Sequence, residues 1–173
     1  FIKDISVLNK LGFIPIIVHG GGKRISNQLN EIGIKSEFIK GLRVTDKKTI
    51  KVVEEVLIEF NKTIIDALKK QACNSQTINS KENNIITVIQ ENVDLGFVGT
   101  PTKINKSIID KIVDDKKVPV IAPLGLDANN QTNRRNKNQH YSSGSHQKNH
   151  PARTTDQIKD TAIVMGIPVE SVT

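Results

Sequence analysis

The sequence predicts an α/β fold, a three-layer αβα sandwich around a mainly parallel sheet, from three observations. Phe13 to His19 reads FIPIIVH, a nearly continuous apolar run of the kind a strand shows when both its faces are buried. Segments with apolar residues at helical spacing alternate with such runs along the chain. A glycine-rich turn, His19-Gly20-Gly21-Gly22, joins the first strand to the helix that follows it.

Each element has its own signal. Ile2, Ile5, Leu8 and Leu11 recur at a spacing that predicts a helix over Phe1 to Leu11, ended by Gly12. After the strand, Ile25, Leu29 and Ile32 share one face of a helix from Lys23 to Ile32, stopped by Gly33. Asp46 is a fitting N-cap for the longest helix, in which Ile50, Val53, Leu57, Phe60, Ile64 and Leu68 repeat at helical spacing. Ile85 to Ile89 predicts a strand, Ile104 to Val113 a helix with Ile108, Ile109, Ile112 and Val113 inward, and Val118 to Ala122 another buried strand.

The 173 residues suit one domain with a sizeable core. Aromatic residues make up only 3% and there is no Trp, so that core is built from Ile, Leu and Val. No apolar run approaches the roughly 20 residues of a bilayer span, and no signal peptide opens the chain, so no membrane partner is expected. Phe1 stands in mid-pattern, so a natural start upstream is expected. A single Cys73 excludes an intramolecular disulfide framework and a multi-cysteine metal site. A reducing compartment follows: the cytoplasm, with an organelle stroma or matrix also open.

Charge and texture divide the chain at Asp127. Residues 1–127 carry 19 basic and 15 acidic side chains, well mixed, as on an ordinary solvated surface. In 128–173 Asn, Gln, Ser, Arg, Lys and His dominate at first and periodicity is lost, which predicts a disordered tail. Its Arg134, Arg135, Lys137 and Lys148 raise a nucleic-acid reading, set aside because they are scattered and only Tyr141 could stack on a base.

In α/β sheets ligands bind beyond the carboxyl ends of the strands, so the loops after Val18 and Ala122 are the places to search. At the first, glycines let backbone N–H groups approach an anion, and the helix N-terminus adds partial positive charge. The turn is neither a Walker loop, because Ile17 and Arg24 stand at its signature positions, nor a dinucleotide fingerprint, because Ile25 does. A purely structural turn is the alternative. In Gly41-Leu42-Arg43-Val44-Thr45-Asp46, Arg43 could clamp a carboxylate through two parallel hydrogen bonds, or be a surface arginine ahead of a capped helix.

IIVHGGGK, GLRVTD, VVEEVL, FNK, DLGFVGTP and VPVIAPLG occur in the order and spacing of the N-acetylglutamate kinases, and from Phe1 to about Thr132 the chain resembles these members of the amino-acid kinase family. HGGG is shared with carbamate kinases and aspartokinases, whereas GLRVTD after it is typical of the acetylglutamate enzymes. The resemblance implies transfer of the γ-phosphoryl group of ATP, with Mg2+, to the side-chain carboxylate of N-acetyl-L-glutamate in arginine biosynthesis, by an enzyme that is a homo-oligomer when full length. It implies that Gly21 and Gly22 lie at the substrate and the transferred phosphoryl group, and that Arg43 holds a carboxylate. His19 and Gly20 match the same loop, and Asn133 is a candidate for a substrate-binding asparagine.

The resemblance also has gaps, so the expected sandwich is incomplete. No K-x-G-G strand precedes Phe1, and the Asn-x-Asn-Ala-Asp element and the ATP-binding half with its second lysine have no counterpart. The edge of the Phe13–His19 strand is therefore expected to lie uncovered. Back-translating Lys137 to His146 and reading one nucleotide later permits Lys-Ile-Asn-Ile-Thr-Ala-Ala-Gly-Ala-Ile, similar to the family's small-residue helix. A frameshift near Thr132 explains this, and a divergent linker is the alternative. Two functions follow: an inactive fragment of an acetylglutamate kinase, or a catalytically dead acetylglutamate-binding module of the same fold.

Overall fold

The computed structural model describes residues 1–90 and 92–135 together with the backbone of 164–167. Its centre is a parallel sheet of strands β1 (Ile16–His19), β4 (Ser75–Ile78), β7 (Val118–Ile121) and β10 (Val164–Ile167), in the order β10-β1-β7-β4. Helices α1 (Ile2–Lys10), α2 (Gly22–Glu31), α3 (Lys47–Lys70) and α4 (Lys106–Asp114) alternate with the strands, as the sequence predicts.

The period of two in a strand sorts the apolar run of β1 onto opposite faces. Ile17 joins Val118, Val120, Phe60, Ile64 and Leu68 in one core layer, under α1 and α3. Ile16 and Val18 pack with Ile78, Ile121 and Ile112 in another, under α4. That is the three-layer arrangement, and it explains why FIPIIVH is apolar throughout.

α3 begins where Asp46 accepts a hydrogen bond from the Thr49 amide at 2.7 Å, so its N-cap is the expected one. The strand expected over Ile85–Ile89 forms as β5 (Ile86–Gln90), but outside the parallel sheet. It closes a small barrel with β6 (Val98–Ile104), β9 (Thr132–Arg135) and β8 (Leu124–Leu126). β6 occupies residues before the expected helix, which starts at Lys106 rather than Ile104. A short hairpin of β2 (Phe38–Ile39) and β3 (Leu42–Arg43) turns through Lys40 and Gly41, both at positive φ, as a two-residue hairpin loop requires.

Two expectations change. Ordered chain runs past Asp127: its carboxylate accepts from the amides of Asn129 and Gln131 at 2.8 and 3.0 Å, and this turn feeds β9. Asn-rich text here is turn chemistry followed by a polar strand. The edge of β1 is not bare either, since β7 pairs on one side and β10 on the other. Residues 136–163, which hold Lys137, Tyr141 and Lys148 and the segment of the frameshift expectation, lie outside the described residues.

Candidate functional site

The loops after β1 and β7 meet in one cleft. Gly21 and Gly22 form one wall, Leu42 and Arg43 a second, and Pro123 and Arg134 a third, around about 710 Å³ including the open mouth. The cleft lies at the carboxyl ends of parallel strands, where the sequence directs the search.

Gly21 is the N-cap of α2 and offers no side-chain cap, so the helix's first amides are left to the cleft. The two glycines serve different purposes. A Cβ on Gly21 would stand 2.6 Å from Leu57 Cδ2, so its absence lets α2 dock against α3 rather than admitting a ligand. At Gly22 nothing lies within 4 Å of an added Cβ, and the space is open.

Arg43 is brought in by β3 and is buried, at 7% exposure. Its Nη2 donates to Ser26 Oγ at 2.8 Å and its Nη1 to Ser36 Oγ, while the guanidinium lies 4.8 Å from the Phe38 ring centroid. Ser26 in turn donates to Gly22 O at 3.0 Å, which couples the arginine to the glycine turn. Burial lowers the Arg43 pKa from its usual value, though the group stays cationic.

Arg134 reaches the same cleft from β9. Its Nε donates to Thr45 Oγ1 at 3.0 Å and its Nη2 to Arg43 O at 2.7 Å. Desolvation first, and the charge of Arg43 second, lower its pKa to about 10. β9 is held by α3, because Thr132 Oγ1 and Ser80 Oγ both donate to Glu54 Oε1 at 2.7 Å.

His19 lies beneath the turn, 2% exposed, edge-on to Phe60 with ring centroids 5.1 Å apart. Asn61 Nδ2 donates to Val120 O at 2.9 Å and to His19 Nε2 at 3.2 Å, while Asn61 Oδ1 accepts from Thr77 Oγ1 at 2.6 Å. The acceptor role of Nε2 puts the ring proton on Nδ1, which donates to Gly20 O at 3.2 Å. Burial lowers the His19 pKa from 6.5 to about 4, so the ring is neutral at pH 7. As pH falls from 6.5 towards 4 the unfolded chain takes up a proton that the folded chain refuses, and stability drops by about 3 kcal/mol. His19→Gln should flatten that part of the profile in urea titrations at pH 4.5 and 7. An unaltered slope would refute the assignment.

The structure thus brings Gly21, Gly22 and Arg43 to one cleft and sets His19 and Gly20 under it as support. Asn133 is not there: it is buried in the barrel, donating to Gln131 O at 3.0 Å and Asp127 Oδ2 at 3.3 Å. Its neighbours Arg134 and Arg135 line the cleft instead. Alternation along β9 separates Asn133 from Arg134, and a segment read as tail hides it. Asn61 was also missed as a support residue, although FNK marks its position.

An acetylglutamate kinase of Pelagibacter ubique is 67% identical over 132 residues, which are 76% of this chain and 46% of that protein. One from Jannaschia is 41% identical over 133 residues, 76% of this chain and 47% of its own length. The chain spans a little under half the length of these curated relatives. A solved structure from Streptococcus mutans superimposes with a TM-score of 0.73 at 27% identity, covering 78% of this chain and 56% of that one. The N-acetylglutamate synthase of Neisseria gonorrhoeae shares the fold, with a TM-score of 0.62 at 20% identity over 78% of this chain and 32% of the synthase. The amino acid kinase family model matches residues 1–142, and the chain belongs to that family.

Proposed function

We propose that residues 1–135 form the acetylglutamate-binding part of an acetylglutamate kinase, which transfers the γ-phosphoryl group of ATP to the side-chain carboxylate of N-acetyl-L-glutamate. The observation that carries this reading is the buried Arg43, without a carboxylate partner among the described residues, beside the open amino end of α2. A carboxylate matches the Arg43 fork, and a phosphoryl group matches the helix amides at Gly22. The names of the relatives support the same substrate.

ATP would supply the phosphoryl group and Mg2+ the charge neutralisation that phosphoryl transfer needs. The α2 amino end suits a phosphoryl oxygen. Among the described residues no group of His, Cys, Asp or Glu side chains is arranged to hold a metal ion, so none is assigned to Mg2+. None of the described helices is long and apolar enough to cross a membrane. The same reading carries a role in cytoplasmic arginine biosynthesis, and homo-oligomeric assembly of the full-length enzyme.

The described cleft wall contains arginines and glycines but no lysine. The 173-residue polypeptide should therefore bind N-acetyl-L-glutamate in calorimetry without phosphorylating it above a no-enzyme control. Arg43→Lys should weaken binding about tenfold or more with an unchanged circular dichroism spectrum, because a point charge replaces a planar fork. Undiminished binding would remove Arg43 from the site, and turnover would refute the reading of the polypeptide as binding-only. In a full-length enzyme the same substitution should raise the KM for acetylglutamate far more than that for ATP.

A further inference from the structure

Among the described residues three arginines, 43, 134 and 135, line the cleft, and no carboxylate does. The ion pairs of the described residues engage none of them. Cations gathered in a half-apolar wall repel one another unless an anion joins them. Arg135, which also lines the cleft, has its Nε buried with no hydrogen-bond partner. Arg134 spends Nε and one Nη2 proton on Thr45 Oγ1 and Arg43 O, which fixes its plane and leaves Nη1 for a ligand. Arg43 and Arg134 are thus tied to each other through the Arg43 carbonyl, and their relative placement is set before any ligand arrives.

We propose that Arg134 is the second anchor of a two-guanidinium anion site, so that the cleft selects small dianions, one anionic group at each arginine, over monoanions of the same shape. This rests on the acetylglutamate reading of the cleft and adds to it a specificity-determining residue from β9. It explains why a strand with no apolar pattern is held in place by Glu54 and Thr45: its position sets the spacing of the two charges.

The test compares N-acetyl-L-glutamate with N-acetyl-L-glutamine, which lacks the second carboxylate, by calorimetry on the 173-residue chain. The wild-type chain should prefer the dianion by about tenfold or more, and Arg134→Gln should reduce the preference to under about threefold while acetylglutamine binding persists. Arg134→Lys, which keeps the charge, should retain part of the preference and serves if the glutamine variant fails to fold. A purely structural Arg134 would weaken both ligands equally and leave their ratio unchanged, which would overturn the proposal, as would a wild-type chain that binds both alike. If neither ligand binds, the acetylglutamate reading fails, and inorganic phosphate becomes the probe. A shift of the Arg134 Nε–H resonance with phosphate, reduced in Arg43→Lys, would then still support the two-guanidinium site, and no shift would overturn it.

Discussion

Gly96→Ala should destabilise the fold by about 2–4 kcal/mol and weaken acetylglutamate binding about tenfold or more. Gly96 stands at φ +66°, and an added Cβ would lie 2.3 Å from Thr45 O and 2.9 Å from Thr45 C, so backbone has to move. The contact is the one that carries the GLRVTD segment: Thr45 N donates to Leu95 O at 2.9 Å, and Phe97 N donates to Thr45 O at 2.7 Å. Thr45 Oγ1 is also where Arg134 is fixed, so one displaced strand shifts both cleft arginines. Gly12→Ala provides the control, because Gly12 has φ +88° but nothing within 4 Å of the added Cβ. That variant should lose only about 1 kcal/mol. Equal losses for the two variants in urea denaturation would show that φ alone matters and that the contact with Thr45 does not.

Phe60→Ala should cost about 3–5 kcal/mol, a large part of the stability of a domain this size. The ring is 1% exposed and sits among Ile5, Ile17, Ile64 and Leu68 between α1, α3 and the sheet. It also meets the edge of His19 and carries the Arg24 guanidinium 4.3 Å from its centroid. Truncation therefore opens a cavity directly beneath the glycine turn. Phe60→Leu, which keeps most of the volume, should lose under about 2 kcal/mol and retain ligand binding. A loss below about 1 kcal/mol for the alanine variant would mean that the core closes over the gap and that the turn does not depend on it.

Local chemistry decided much of this protein within the sequence itself. FIPIIVH required a strand with both faces covered, Asp46 capped the long helix, and the strand–glycine–helix order placed an anion-ready helix end at the sheet's carboxyl edge. Arg43 was legible as a candidate cleft residue because its segment carries a family motif and because a guanidinium there has a definite chemistry. Those inferences need only neighbours in sequence, and period and turn preferences report on neighbours. The barrel needed more. β5, β6, β8 and β9 pair between residues far apart in the chain, and Gly99 and Gly125 are glycines because Val88 presses on them from another strand, with an added Cβ at 2.7 Å in both cases. The same holds for Gly21, whose reason is Leu57 and not a ligand. In β9 the sequence offered only polar residues, so its alternation was invisible. Pairing with β6 and β8 turns Asn133 inward and leaves Arg134 beside Arg43, and a contact across ninety-one residues is a property of packing that no local pattern encodes.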